Sequence, residues 1–211
     1  MARGRFITFE GGEGAGKSTQ ARRLAERLRV VAPEVIVTRE PGGSPGAESI
    51  RELLVRGDAD RWSPVTETLL VYAARRDHVE RVIRPALERG AWVVCDRFAD
   101  STRAYQGSAG GAARSLIEAL ERDVLEGLSP DLTLVMDLPV ELGLTRADRR
   151  QDLDTRFEGK GLAFHTRLRE AFLAIAAAEP GRCAVIDAGR TPDEVGAAIW
   201  SRVSARLGVA A

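Results

Sequence analysis

The sequence predicts an α/β fold in which five parallel strands form one sheet with helices on both faces. Short apolar or β-branched runs alternate with longer amphipathic segments along the 211 residues. The runs are apolar at consecutive positions, which is typical of strands covered on both faces. The segments between them are long enough for the crossovers that parallel strands need. Another doubly wound α/β arrangement is the alternative.

The five predicted strands are apolar or β-branched runs that end at polar or turn-forming residues. Arg39, Glu40 and Pro41 follow the second run, and Asp96 and Arg97 follow the third. The predicted strands comprise residues 6–9, 35–38, 92–95, 132–136 and 183–186.

The predicted helices show apolar residues at helical spacing. Ser63 and Pro64 are suited to the N-cap and first position of the longest one. Residues 101–111 are polar and glycine-rich, which predicts a loop or a short helix. The predicted helices comprise residues 19–31, 47–55, 65 to about 88, 116–128, 140 to about 147, 164–178 and 192–207.

Composition narrows the class of protein. Apolar residues make up 44% and charged residues 29%, as in one globular domain, and the net charge of +0 provides no overall field for nucleic acid or an anionic membrane. No stretch approaches the roughly 18 apolar residues of a membrane span, so a cytoplasmic protein is expected. Cys95 and Cys183 lie in apolar runs and are expected in the core. His78 and His165 have no metal-ligand spacing, so surface or packing roles are expected.

A glycine-rich segment between the first strand and the first helix predicts a phosphate-binding loop. Its glycines let backbone N–H groups surround phosphate oxygens, and the following helix directs its positive end at the same anion. Lys17 adds a charge, and Ser18 supplies a hydroxyl for magnesium. A glycine-rich β–α turn without a ligand is the alternative. The nucleotide-binding residues of this segment are Gly11, Gly12, Glu13, Gly14, Ala15, Gly16, Lys17, Ser18 and Thr19.

The residues at the strand ends are candidates for the second substrate, because open α/β sheets bind ligands at that edge. Asp96 could orient magnesium through water, and Arg97 could bind an acceptor phosphate with its planar guanidinium. A helix-capping aspartate and a solvated arginine are the alternative. Glu13 could accept a hydrogen bond from a sugar hydroxyl or could be a solvated loop carboxylate.

Several segments match one known family in the same order along the chain. The most specific is Asp-Arg-Phe at 96–98 followed by Ala-Tyr-Gln-Gly at 104–107, which a generic phosphate-loop protein has no reason to contain. The other matching segments are residues 9–19, 38–43, 72–75 and 130–134. In these segments the chain resembles bacterial thymidylate kinases.

The resemblance implies a P-loop nucleoside monophosphate kinase fold over residues 1–211, with a lid at about 147–160. It implies phosphoryl transfer from ATP to dTMP, giving ADP and dTDP for dTTP biosynthesis, with Mg²⁺ at Ser18 and Asp96 and a homodimeric assembly. Lys17 and Arg97 are implied in catalysis. The implied dTMP-binding residues are Glu13, Arg39, Pro41, Val71, Arg75, Arg97, Ser101, Thr102, Tyr105 and Gln106.

Individual roles follow from the same resemblance. Glu13 would bind the deoxyribose 3′-hydroxyl and Arg97 the dTMP phosphate. Arg75 and Thr102 would bind the thymine edge, while Tyr105 would close the space beside the sugar 2′ carbon.

Two features of this chain concern the base pocket and the catalytic cation. Val71 occupies a position where the family usually has a phenylalanine that stacks on thymine. The phosphate loop has no arginine, so the family resemblance assigns the catalytic cation to the arginine-dense stretch 146–158, where Arg149, Arg150 and Arg156 are the candidates. The choice among the three stays open, and a solvated charged helix face is the alternative.

Two other functions are compatible with a phosphate loop. One is a kinase acting on another nucleoside monophosphate or on a deoxynucleoside. The other is a nucleotide-dependent switch without acceptor chemistry, against which the chain has no Asn-Lys-x-Asp segment for guanine.

Overall fold

A computed structural model of the chain describes residues 3–58, 60–148 and 160–209. Its sheet has five parallel strands in the order β2-β3-β1-β4-β5, which confirms the predicted fold class. The strands are β1 Phe6–Glu10, β2 Val35–Arg39, β3 Trp92–Asp96, β4 Leu132–Asp137 and β5 Cys183–Asp187.

The long helix predicted from residue 65 to about 88 is confirmed, with a π-helical turn at Val79–Ile83 joining its two α-helical parts. The stretch 101–111 is mostly helical, because α5 continues into π-helical turns at Arg103–Ala109. The helices are α1 Lys17–Leu28, α2 Pro45–Val55, α3 Pro64–His78, α4 Arg84–Glu88, α5 Ala99–Thr102, α6 Arg114–Leu125, α7 Val140–Asp148, α8 Leu162–Ala178 and α9 Pro192–Leu207.

Two helices begin and end two to three residues nearer the N-terminus than predicted. The first helix, predicted at 19–31, occupies Lys17–Leu28, so Lys17 belongs to its first turn. The helix predicted at 116–128 occupies Arg114–Leu125, because Glu126 and Gly127 adopt left-handed backbone conformations with φ of 50° and 80°.

Helices cover both faces of the sheet. Consecutive strand residues point to opposite sides, so an apolar run presents apolar side chains on both faces. On one face Ile7 and Val94 pack with α1 and α9, and on the other Phe6 and Val93 pack with α4. Cys95 and Cys183 are free and buried, as predicted. His78 and His165 are also buried, at 0% and 4% exposure, so neither is a surface residue. Within the described residues, no helix has the length and apolar character needed to cross a bilayer.

Candidate active site

The phosphate loop joins the end of β1 to the start of α1. Gly14 and Gly16 have φ of 68° and 81°, in the left-handed region that favours glycine. A Cβ at Gly14 would also lie 2.0 Å from the carbonyl oxygen of Gly143, so no larger residue fits there. Gly16 is the N-cap of α1. The backbone therefore curls around the positive end of a helix, as an anion site requires.

Lys17 lies beneath this loop. Its ammonium donates to the Gly12 carbonyl at 2.6 Å, and its side chain is largely buried. Burial and the nearby Arg97 guanidinium lower the pKa of Lys17 to about 8. Negative phosphate oxygens at this loop would favour the charged ammonium.

One cavity contains both halves of the predicted site. Its volume is about 1300 Å³ including the part open to solvent, and Gly14, Gly16, Lys17 and Ser18 form its phosphate-loop side. Every residue predicted for the acceptor lines it as well: Glu13, Arg39, Pro41, Val71, Arg75, Arg97, Ser101, Thr102, Tyr105 and Gln106.

Four predicted nucleotide-binding residues do not line this cavity. Gly11 and Gly12 border a smaller cavity of about 410 Å³ between the loop, the end of β4 and α8. Ala15 is buried and Thr19 is exposed.

Arg97 connects the phosphate loop to the acceptor side. Its guanidinium donates to the Glu13 carboxylate at 2.9 Å and to the Gly11 carbonyl at 3.0 Å, and it lies 4.8 Å from the centre of the Tyr105 ring. Tyr105 also donates its hydroxyl to Glu13, at 2.5 Å. Burial would raise the pKa of Glu13, but Arg97 and Lys17 lower it to about 2, so the carboxylate is ionised.

Arg97 has an unusual backbone conformation for a residue that is not glycine, with φ of 71°. Such strained residues concentrate at functional sites, because the surrounding structure must hold them in place. The left-handed turn follows directly from β3.

Ser18 and Asp96, the two residues predicted to hold magnesium, lie together. The Ser18 hydroxyl donates to Asp96 Oδ2. Asp96 Oδ1 is buried and has no hydrogen-bond partner among the described residues. A hydroxyl and a carboxylate beside the phosphate loop fit Mg²⁺, which is usually held by few protein oxygens together with phosphates and water. In the described part of the chain, no group of three or more His, Cys, Asp or Glu residues could hold a metal.

The arginines predicted for the lid, Arg149, Arg150 and Arg156, lie outside the described residues. Their assignment stays a prediction.

Comparisons with known proteins identify the family. The family model described as thymidylate kinase matches residues 9–199. A thymidylate kinase of Caulobacter vibrioides is 68% identical over 209 residues, which cover 99% of this chain and 100% of the relative. One of Bradyrhizobium diazoefficiens is 57% identical, covering 97% and 91%. The crystal structure of thymidylate kinase from Ehrlichia chaffeensis superposes with a TM-score of 0.78 at 34% identity, covering 95% and 99%.

The chain belongs to the thymidylate kinase family. It is therefore an enzyme that uses ATP to phosphorylate dTMP to dTDP. The fold class agrees, since the five-stranded parallel sheet is shared with the solved thymidylate kinase.

The structure places further residues around this thymidylate kinase cavity. Glu40 and Phe98 line it beside Arg75. Arg51, Leu54 and Val55 line it from α2, next to Val71. Leu54 and Val55 follow Arg51 by three and four residues, so they share one helical face with it. That spacing is visible in the sequence, but it does not tell which cavity the face borders.

Glu10 is another residue that sequence reasoning did not assign to the site. It is fully buried at the end of β1 and accepts hydrogen bonds from the Phe98 backbone N–H at 2.8 Å and the Ser101 hydroxyl at 2.6 Å. Burial and the nearby Asp100 carboxylate raise the pKa of Glu10 to about 8. Its place before the glycine loop is the only sequence signal, because its bonding partners are about 90 residues away in the chain.

Proposed function

We propose that the large cavity binds ATP at the phosphate loop and dTMP on the opposite side, and transfers the γ-phosphoryl group between them to give ADP and dTDP. One observation carries the proposal: Gly14, Gly16, Lys17 and Ser18 of the phosphate loop line the same cavity as all the predicted acceptor residues. In phosphoryl transfer, catalysis consists mainly of positioning and charge stabilisation. Donor and acceptor must therefore share one enclosed site.

On the donor side, the proposed ligands of the ATP phosphates are the loop N–H groups and Lys17. Ser18 and Asp96 would hold Mg²⁺, directly and through water. When bound, the ion neutralises phosphate charge that develops during transfer. The buried Asp96 Oδ1, which lacks a partner among the described residues, supports this role.

On the acceptor side, Arg97 is proposed to bind the dTMP phosphate. Its contact with Glu13 places it next to the phosphate loop. Glu13 would accept from the sugar 3′-hydroxyl, and Tyr105 would limit the space beside the 2′ carbon. Arg75 and Thr102 would bind the thymine edge, and their own contact of 3.0 Å brings the two donors together.

Four broader features stay proposals. The chain acts as a single P-loop kinase domain, with residues of about 147–160 as a lid that supplies catalytic arginine. The enzyme is a homodimer, supported by Val65 and Leu69, which are 49% and 47% exposed on α3. It works in the cytoplasm, and nucleic acid and membranes are not its partners.

A substrate panel tests the function. ADP production is measured with ATP and Mg²⁺ against dTMP, dUMP, dCMP, dAMP and thymidine. We expect the highest kcat/KM for dTMP, and little turnover in Lys17→Ala, which should lose most of the charge stabilisation at the loop. A higher kcat/KM for another acceptor would overturn the dTMP assignment. Nucleotide binding without ADP production on any acceptor would instead favour a switch.

A further inference from the structure

His78 is a buried polar residue without a role in the proposed chemistry. It ends α3, and none of its surface is exposed. Its Nδ1 atom is 3.0 Å from Glu40 Oε1, and its Nε2 atom is 2.7 Å from Thr38 Oγ1. Because a carboxylate can only accept, the Nδ1–H group donates to Glu40. The ring is therefore oriented by a polar partner on each side.

Glu40 links His78 to the cavity. Its Oε1 atom accepts from His78, and its Oε2 atom accepts from Arg75 Nε at 2.7 Å. Burial would raise the pKa of Glu40, but Arg75 and His78 hold the pKa below its usual value. The carboxylate is thus ionised, and donors on both oxygens determine how it is turned.

Arg75 is the cavity-lining end of this chain of contacts. Besides Glu40, it donates to Thr102 Oγ1 and to the Phe98 carbonyl, both at 3.0 Å. In the described part of the chain, these contacts use three of the five guanidinium N–H groups. A guanidinium only donates, so N–H groups left for a ligand suit the carbonyl edge of a pyrimidine and not an amino group.

The turn after β2 also packs on His78. Gly43 has φ of 90°, and a Cβ there would lie 2.4 Å from His78 Nε2 and 2.5 Å from Thr38 Oγ1. The backbone of this turn therefore lies directly over the contact between the two side chains. Pro41, which lines the cavity, belongs to the same turn. His78 supports both the turn and the carboxylate that orients Arg75.

We propose that His78 is a positioning residue for acceptor selection, acting on the substrate through Glu40 and Arg75. The inference rests on the proposed function of the cavity and deepens it. Loss of the Nδ1–H donor leaves Glu40 Oε1 buried without its partner, so the carboxylate turns and its contact with Arg75 Nε weakens. Binding of the pyrimidine edge then suffers, whereas phosphoryl transfer at Lys17 does not.

Two conservative variants separate positioning from packing. In His78→Asn the side-chain amide N–H can take the place of Nδ1–H. In His78→Gln the longer side chain carries its amide N–H to the position of Nε2 instead. We expect the Asn variant to keep the KM for dTMP within about twofold of the parent. The Gln variant should raise it about tenfold, as for one lost hydrogen bond to a charged group. It should also lower the preference for dTMP over dCMP in kcat/KM, with kcat and the KM for ATP little changed.

Thr8→Val is the matched control for buried hydrogen bonding. The Thr8 hydroxyl is fully buried and lies 2.8 Å from the Thr133 hydroxyl in the sheet, and neither residue lines the cavity. We expect this variant to lower the Tm while leaving the KM for dTMP and the preference over dCMP unchanged.

The outcomes are distinct. Equal KM values for dTMP in the parent and both His78 variants would overturn the inference, as would equal losses in the Asn and Gln variants. If the Gln variant does not fold, Glu40→Gln leaves a single accepting oxygen for His78 and Arg75, and an unchanged KM for dTMP overturns the inference in that case. A parent enzyme that does not prefer dTMP in the substrate panel would instead overturn the proposed function.

Discussion

Lys17 should take up a proton when ATP binds at a pH above 8. In the free chain, burial and Arg97 lower the pKa of Lys17 to about 8. Phosphate oxygens of ATP next to the ammonium favour its charged form and should return the pKa toward the usual value of about 10.4. Binding in this pH range is then linked to protonation of the side chain.

The size of the effect follows from the pKa. With a pKa near 8, about three quarters of Lys17 side chains are neutral at pH 8.5 and about one tenth at pH 7. ATP binding should therefore take up about 0.75 proton at pH 8.5 and about 0.1 at pH 7. The same linkage should make ATP binding about fourfold weaker at pH 8.5 than at pH 7.

Calorimetric titration with MgATP, without acceptor, measures the uptake in two buffers with different ionisation enthalpies. Glu10 needs a control, because its pKa is also raised to about 8. Lys17→Met keeps Glu10 and the backbone N–H groups of the loop, so the difference between parent and variant isolates the lysine. Uptake below about 0.2 proton in the parent at pH 8.5, or equal uptake in both proteins, would refute the reasoning.

Three substitutions test the acceptor side and the lid. Val71→Phe should strengthen dTMP binding about 5- to 150-fold in titration calorimetry, as expected for roughly 1–3 kcal/mol of base stacking. An unchanged Kd would place residue 71 away from the base, and a higher Kd would mean that the space is already filled. Arg97→Ala should raise the KM for dTMP about 10- to 100-fold in steady-state assays while changing the KM for ATP less than about threefold. Equal losses for both nucleotides would show that the residue is misassigned. Replacing Arg149, Arg150 and Arg156 together by Ala should lower kcat about 10³-fold or more with little change in the KM for dTMP. If the folded variant retains a kcat within a few-fold of the parent value, the catalytic cation comes from elsewhere.

Much of the fold was predictable because its signals are local. The run at residues 132–136 is apolar at successive positions, and β4 occupies Leu132–Asp137. Helix ends were less predictable. The chain leaves α6 at Leu125 through a left-handed Glu126, a conformation that periodicity does not encode.

The acceptor residues were predictable from family resemblance, but their contacts were not. Glu13 and Tyr105 are 92 residues apart, yet they share a hydrogen bond. Nothing at either position identifies the other as its partner. Their encounter depends on the order of the strands, which brings the ends of β1 and β3 side by side.

The sequence alone determined the phosphate loop and the alternation of strands and helices, and its resemblance to thymidylate kinases implied the class of reaction. The loop and the alternation depend on residue types at short, regular spacings, where glycine conformation and hydrophobic periodicity act directly. Only the tertiary structure decided that His78 contacts Glu40, that Glu40 orients Arg75, and that Arg97 leaves β3 in a left-handed turn. Such contacts join residues from separate elements. A buried polar group is satisfied by whichever donor the packed chain brings to it, and that choice is made only when the sheet and helices assemble.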